Sequence, residues 1–595
     1  MSRACLTVVL RGLICFLSSV IAIWPAPTTI QQGSQYLTLS SNFTFLYVKD
    51  TPSRFWAPPP DLKEAVKETQ KFILTDEHQV LVPDRGESLR SVVTSSRSLS
   101  KLELKLSANG HIRSITNETR QAPSLRDEAY TLEIKLEPVP EATLTANSSL
   151  GFLRGLQSFS QLVYTLPPLL RNDSLVSNRQ QLYAIPDGSQ RVRYLRAPVS
   201  VQDAPSFKWR GLLLDTSRNF FPIPDLKRTI DAMSWAKLNI FHWHIVDAQS
   251  WPLQVTNLPL LDQKGAYSPS ERYLTHEIQD FIAHANSKGV DVMVEFDTPG
   301  HTSVVGDAYP ELVACKNFKP WWVYAAEPPS GQLRIMDDRA VELAKQIYTT
   351  IAQEVPGTLF STGGDEVNQK CYGTDKPTQD ALTSKNMTLT EALFRFVNQT
   401  QQALRAEGKT PVIWEELVLD DNLTLGSDTI VAVWRSSVNA RSVLNKGYRI
   451  VHAASDFTYL DCGIGEWLGN ETDGTSWCDP FKTWQKIYSF NPYTNVSHSQ
   501  YNQILGGQAL LWSEQADPQN LDTLLWPRAL AAAEVYWTGA EHSIDGQAPA
   551  ARNSIEALPR IHDMRYRMVQ RKIRATPLQP QYCALRIGEC NGPPA

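Results

Sequence analysis

The chain has 595 residues, more than one average domain holds, with 42% hydrophobic and 20% charged residues, the balance of an ordinary globular protein. A net charge of −5 offers no field that would gather a nucleic acid, so no nucleic-acid partner is expected.

The first segment, MSRACLTVVLRGLICFLSSVIAIWPAP, carries Arg3 and Arg11 and then an apolar run from Gly12 to Trp24. A run of about a dozen residues is short of the ~20 that span a bilayer. It reads as a secretory signal peptide over residues 1–24, with a signal anchor as the alternative. No later segment is apolar enough to cross a membrane, so no stable membrane insertion and an extracellular location are expected. Two features agree with export. Sequons stand at Asn42, Asn117, Asn147, Asn172, Asn386, Asn398, Asn422, Asn470 and Asn495. Beyond Cys5 and Cys15 of the leader, six cysteines remain: Cys315, Cys371, Cys462, Cys478, Cys583 and Cys590. An even number in an oxidising compartment implies three disulfides. Fifteen pairings are open, and pairing between neighbours is the arrangement expected. With no CxxC and no HExxH, neither a metal nor a cofactor is expected.

From residue 25 to 204 the texture is α+β. KLELKLSANG and YTLEIKLE alternate as half-buried strands do. SLGFLRGLQSFSQLVYTL has the spacing of an amphipathic helix lying on that sheet. The stretch from Gln31 to about Arg97 is less regular. It is either a pro-segment or an extension of this domain, and no dibasic site marks a cut near residue 97.

From residue 205 to 595 the rhythm becomes strand–helix. WRGLLLDTSR, NIFHWHIVDAQSWP, VDVMVEFDTPGH, TLFSTGGDE, PVIWEE, TIVAVWR, RIVHAAS and GGQALLWSE are eight strand candidates with helices between most of them. The alternation predicts a parallel sheet, and eight units predict a (β/α)8 TIM barrel rather than a doubly wound sheet, whose phosphate-binding glycine fingerprint is missing. Most strands end in functional chemistry: Asp215, Asp247, Asp297 with His301, Asp365 with Glu366, Trp414 with Glu415, Trp434 with Arg435, and Trp512 with Glu514. Barrel enzymes build their sites at these carboxyl ends.

Tryptophans beside acids predict a sugar pocket, in which the CH face of a pyranose packs on an indole while charged groups take the hydroxyls. Most glycosidases place two carboxylates across the scissile bond. Side chains of neighbouring residues point apart on a strand, so Asp365 and Glu366 fit that arrangement poorly. A 2-acetamido group on the substrate removes the difficulty, because its oxygen serves as the nucleophile. Glu366 then protonates the leaving oxygen, and Asp365 orients the acetamide N–H.

These residues carry a resemblance. WRGLLLDTSRNFFP (209–222), NIFHWHIVDAQSWPLQV (239–255), EFDTPGHT (295–302), GGDEV (363–367), VIWEE (412–416), VAVWR (431–435), ASDFTYLDCG (454–463) and GGQALLWSEQ (506–515) are similar in order to glycoside hydrolase family 20 β-N-acetylhexosaminidases, especially secreted fungal ones. The resemblance covers roughly residues 205–590. It implies an exo-acting, retaining, substrate-assisted hydrolase of terminal GlcNAc or GalNAc on chitooligosaccharides or glycoconjugates, working as a homodimer. It implies that Asp365 polarises the acetamide, Glu366 is the acid/base and Tyr459 bonds the acetamide oxygen. Trp414, Trp434 and Trp512 match the pocket walls, and Arg210, Asp461 and Glu514 match residues that hold sugar hydroxyls. Asp247, His244 and His301 match supporting residues. The cysteines of YLDC and SWC and the last pair fit the fungal pattern. Ala248 departs from it, standing where relatives often have Asp or Ser. The alternative function is a secreted glycan-binding protein with the same fold and little or no catalysis; the acid pair and Tyr459 speak against it. GGDEV also resembles the GGDEF signature of nucleotide cyclases, which act in the cytosol on GTP.

Overall fold

A computed structural model describes residues 22–49, 56–108, 110–168, 191–469, 472, 474–539 and 552–592. The body of the expected leader and the sequons at Asn172 and Asn470 lie outside the described residues.

The first region is a sheet with helices on one face. Its strands are β1 (Thr29–Lys49), β2 (Ser98–Leu106), β3 (Tyr130–Lys135), β4 (Glu141–Ala146), β5 (Tyr164–Thr165) and β6 (Arg193–Asp203), in the order β1-β2-β4-β3-β6-β5. β2, β3 and β4 each bury alternate residues, as their period-2 pattern predicts. The predicted amphipathic helix forms over Ser149–Gln161, with Ser148 accepting from Gly151 N at its start. β1 is long because it serves two partners. Its first part runs antiparallel to β6 and its second part parallel to β2. Gln31 to Lys49 thus belongs to a strand of this sheet.

The last residues of the segment read as a leader are packed into the fold. Ile23 and Trp24 are fully buried. Trp24 N donates to Gln161 Oε1 (2.8 Å), its Nε1 donates to Leu530 O (2.9 Å), and Arg560 donates to Ile23 O (3.2 Å). Trp24 thereby joins the two regions at the edge of the segment read as a leader.

The second region is a closed barrel of eight parallel strands. They are β7 (Trp209–Asp215), β8 (Ile240–Val246), β9 (Asp291–Phe296), β12 (Leu359–Ser361), β13 (Thr410–Trp414), β14 (Ile430–Val433), β15 (Arg449–His452) and β16 (Ile504–Leu511). A two-stranded ribbon, β10 (Val313–Ala314) with β11 (Gln332–Leu333), interrupts the series after β9. All eight correspond to the strand candidates in the sequence. β7, β8 and β9 are buried along their whole length, hence their nearly continuous apolar runs. The lower bore is plugged by Trp209, Ile240, Met293, Leu359, Val412, Ile430 and Val451. The three disulfides join neighbours: Cys315–Cys371, Cys462–Cys478 and Cys583–Cys590.

The first region docks against the amino-terminal end of the barrel strands through buried ion pairs. Arg126 meets Asp291 at 2.6 Å, and Lys237 meets Asp203 at 2.9 Å. Glu128 holds both Arg154 (2.8 Å) and Arg210 (2.6 Å). Among the described residues, no helix is long and apolar enough to cross a membrane.

Candidate active site

The opposite, carboxyl end of the barrel opens into a cavity of about 360 Å³. Asp365, Glu366, Tyr459, Trp414, Trp434, Asp461, Trp512, Glu514, Asp247, His244 and His301 all line it. Eleven of the twelve residues expected to act on the substrate or support those that do therefore meet in one place. Arg210 does not. It sits at the start of β7, fully buried, bonded to Glu128 and to the carbonyls of Lys237 and Phe207. The guanidinium in the cavity belongs to Arg218, past the other end of the same strand. It reaches Asp247 (3.0 Å), Glu327 (3.1 Å), Asp215 (3.3 Å) and Glu514 (3.8 Å), and lies 5.2 Å over the Trp512 ring.

The glycines before the acid pair have a defined reason. Gly363 and Gly364 both have positive φ, +60° and +99°. A Cβ on Gly363 would lie 2.0 Å from Asp297 Oδ1, and one on Gly364 2.4 Å from Leu417 Cδ1. Gly364 N donates to Asp297 Oδ1 at 2.7 Å. Glu366 itself takes φ +53°, an uncommon conformation for a residue with a side chain. The chain thus turns sharply after β12. Asp365 goes down into the buried floor, and Glu366 stays open to the cavity.

Glu366 ends a chain of buried groups. His301 Nε2 lies 3.2 Å from Glu366 Oε2, and His301 Nδ1 lies 3.0 Å from Asp247 Oδ1. Asp247 Oδ2 meets His244 Nε2 at 2.7 Å. Each imidazole lies between two carboxylates, so both of its nitrogens carry hydrogen. Burial would lower the His301 pKa, but the charges of Asp247 and Asp365 hold it well above the usual histidine value. Burial would likewise lower His244; its bonds to Asp247 and Glu295 lift it to about 10. Asp247 is held well below the carboxylate range, against its burial, by Arg218 and His301. Ala248, the departure from the family pattern, still supplies its backbone N–H to Asp247 Oδ1.

Asp365 has a different environment. Burial and the neighbouring Asp297 carboxyl push it well above the usual carboxylate value. Burial pushes Asp297 to about 7. The two therefore titrate as a pair that retains a proton near neutral pH. Asp297, His301 and Asp365 present ligand atoms within 4.8 Å of one another, close enough to consider a cation. Both nitrogens of His301 are already occupied by Asp247 and Glu366, so the ring has no lone pair to give a metal.

The walls are aromatic. Tyr459 and Trp434 lie nearly parallel with centroids 6.3 Å apart, and Trp512 lies 6.1 Å from Trp414 and 6.4 Å from Tyr459. Trp434 Nε1 donates to Glu416, 2.9 Å from each oxygen. Burial, reinforced by Asp365, raises Glu416 to about 9, so it holds the indole as a neutral acid at pH 7. Trp467 and Trp477 close the rim on the loop tied down by Cys462–Cys478. Burial lifts Asp461 to about 7 and, despite Arg218, lifts Glu514 well above its usual value. Arg218, Glu327, Glu416 and a role for Asp297 escaped the sequence reading. Arg218 and Asp297 lay inside quoted motifs, at the strand ends where such residues belong.

A TIM barrel whose strand ends hold a carboxylate pair in an aromatic pocket is, in class, a glycoside hydrolase. The chain belongs to glycosyl hydrolase family 20: the family described as "Glycosyl hydrolase family 20, catalytic domain" matches residues 207–540, and "beta-acetyl hexosaminidase like" matches residues 23–162. The chain is 32% identical to a beta-hexosaminidase of Arthroderma benhamiae, over 97% of this chain and 98% of that protein. It is 35% identical to the chitooligosaccharidolytic beta-N-acetylglucosaminidase of Bombyx mori, over 78% and 75% of the two chains. Among solved structures, the exo beta-N-acetylglucosaminidase of Vibrio harveyi in complex with N-acetylglucosamine shares the fold. Its TM-score is 0.68 at 21% identity, covering 94% of this chain and 78% of that one.

Proposed function

We propose that this chain is an exo-acting β-N-acetylhexosaminidase that cleaves with retention by substrate assistance. One observation carries the reading: a carboxylate on a histidine relay, Glu366, stands beside a buried carboxyl pair, Asp365 with Asp297, inside one indole-walled cavity. In the first step the acetamide oxygen attacks C1 and the glycosidic C–O bond breaks. Its electrons pass to the leaving oxygen, which takes the proton of Glu366. Asp365 accepts the acetamide N–H and stabilises the positive charge that develops on nitrogen. Tyr459, which also lines the cavity, donates to the acetamide oxygen and aims it. In the second step water attacks C1, Glu366 takes the water's proton, and the C1–O bond to the acetamide opens. Two displacements at one carbon restore the β-configuration. His301, between Asp247 and Glu366, fixes the direction of the acid. Asp461, Glu514 and Arg218 are the groups available to the sugar hydroxyls.

A pocket of about 360 Å³ walled by Trp414, Trp434 and Trp512 suits one terminal sugar. Chitin tetramer should release monomer and trimer first; dimer at the earliest times would refute exo-action. The matching β-glucoside with a 2-hydroxyl should be essentially inert. Proton NMR should show the β-anomer first, and an α-anomer first would end the substrate-assisted account. The name of the insect relative favours chitooligosaccharides as substrate. We place the enzyme outside the cell, as a homodimer. The three disulfides and the surface positions of Asn42, Asn117, Asn147, Asn386, Asn422 and Asn495 are compatible with export and glycosylation; Asn398 is half-buried.

A further inference from the structure

Beneath the cavity floor lies a buried carboxylate that the reaction above does not use. Glu295, on β9, is fully buried and does not line the cavity. Its Oε1 meets His244 Nδ1 at 2.6 Å and accepts from Trp414 Nε1 at 3.3 Å. Its Oε2 meets His242 Nε2 at 2.8 Å and accepts from the Ser361 hydroxyl. His242 in turn stacks on Trp414, with centroids 5.8 Å apart and planes 23° apart, and its Nδ1 faces Gln508 Nε2 at 3.1 Å.

Two routes leave this one group. The first runs from Glu295 through His244, Asp247 and His301 to Glu366, with contacts of 2.6, 2.7, 3.0 and 3.2 Å. The second runs directly to the Trp414 indole and, through His242, to its face. We infer that Glu295 is a positioning residue that ties the proton donor to the acetamide-holding wall, so that both are registered to a single buried anchor. The inference rests on the hexosaminidase reading above.

The physical need is specific. In substrate-assisted cleavage the nucleophile and the proton act on the same carbon–oxygen bond in one step, from opposite sides. Misplacing one relative to the other by about 1 Å costs on the order of 100-fold. Separate supports would let the two drift independently; a shared one does not. The charge is as important as the shape. His244 lies between Glu295 and Asp247, so carboxylate and imidazolium alternate from Glu295 to Glu366. Burial alone would raise the Glu295 carboxyl, but His242 and His244 hold it well below the carboxylate range. Removing that charge weakens the grip on His244 and relaxes the relay from its buried end.

The test is Glu295→Gln, nearly isosteric, made in the wild type and in Glu366→Gln. The readouts are thermal midpoint, kcat on chitobiose and on an aryl N-acetyl-β-glucosaminide, and inhibition by a thiazoline that mimics the bicyclic intermediate. We expect Glu295→Gln to lower kcat by ~10–100-fold on chitobiose and by less on the aryl substrate, whose leaving group needs less protonation. We expect thiazoline inhibition to weaken by ~10-fold. In the Glu366→Gln background the further loss of kcat should shrink to under ~3-fold, while the weakened thiazoline binding persists. Fully multiplicative kcat losses, or a lowered midpoint with wild-type kcat and inhibition, would reduce Glu295 to a structural residue. Should Glu295→Gln not fold, His242→Gln tests the second route alone. It should weaken the thiazoline without changing the ratio of the two kcat values, and a changed ratio or an unchanged inhibition constant overturns the inference. If the wild type itself cleaves neither substrate, the hexosaminidase reading fails first, and that result is distinct.

Discussion

The two ends of the barrel bury ionisable groups equally deeply and treat them in opposite ways. At the amino-terminal end, where the first region docks, buried carboxylates are matched to cations: Glu128 has Arg154 and Arg210, Asp203 has Lys237, and Asp291 has Arg126. Burial would raise Glu128, but its two guanidiniums bring it down to about 2. Asp291 is pushed up by burial despite Arg126, and burial raises Glu118, which is held by backbone N–H groups alone, to about 7. At the carboxyl end acids crowd together. Asp297, Asp365, Asp461 and Glu514 are all raised, and Arg218 is shared among four carboxylates. Paired charges join two regions at little net gain but are costly to break; unpaired like charges are ready to exchange protons. One end serves assembly and the other serves chemistry.

The sharpest way to break this comparison is at the mouth. Glu366→Gln should lower kcat by roughly 10²–10⁴, the usual contribution of a general acid. The loss should be larger for chitobiose than for an aryl glycoside, and the thermal midpoint should barely move. Equal loss across leaving groups would remove Glu366 from the acid role. Next in size is an effect at the opposite end. Glu128→Gln leaves Arg154 and Arg210 buried without their carboxylate and should destabilise the fold by about 3–5 kcal/mol. The kcat of the folded fraction should stay within ~3-fold of wild type. The pH dependence has a definite sign. Glu128's folded pKa lies below its ordinary 4.5, so its contribution is complete above pH about 4.5 and is lost as pH falls toward 2. Denaturant unfolding of wild type and variant should therefore converge in that window. A stability gap independent of pH would show that Glu128 acts by shape and not by charge.

Much of the fold was legible because barrel strands are buried on both faces. Such strands are short apolar runs, and GGQALL or TIVAV can be recognised without tertiary information. The packing of Ile23 and Trp24 was not legible for the same reason. Ile23 and Trp24 continue the apolar run read as a signal peptide, and hydrophobicity alone does not reveal that Trp24 bonds to Leu530 and Gln161. Arg210 and Arg218 show a different limit. Both lie in one quoted motif, but seven strand residues place them at opposite ends of the barrel. The rule that sites lie at carboxyl ends would have preferred Arg218, and the family resemblance outweighed it. The pairing of Asp297 with Asp365, and of Glu416 with Trp434, joins side chains from different strands, which periodicity along one strand does not reveal.

The smallest effect probes how the mouth tunes its own acids. The proposed mechanism needs Asp365 ionised, to accept the acetamide N–H and to balance charge on the nitrogen. Burial raises its pKa first, and the charge and hydrogen bond of Asp297 raise it further. A raised value means that Asp365 gains a proton, and activity falls, at a pH higher than an ordinary aspartate would set. Asp297→Asn removes the neighbouring charge and leaves the burial. The pKa of Asp365 then falls, and the acid limb of kcat/KM moves to lower pH by about one unit, equivalent to about 1.4 kcal/mol. The direction separates this account from its rival. If Asp297 served only to orient Asp365 through Gly364 N–H, its replacement would lower kcat/KM evenly and leave the limb in place. A limb that moved upward would mean that Asp297 supplies the proton the reaction needs, and the acids at the mouth would have to be assigned in the other order.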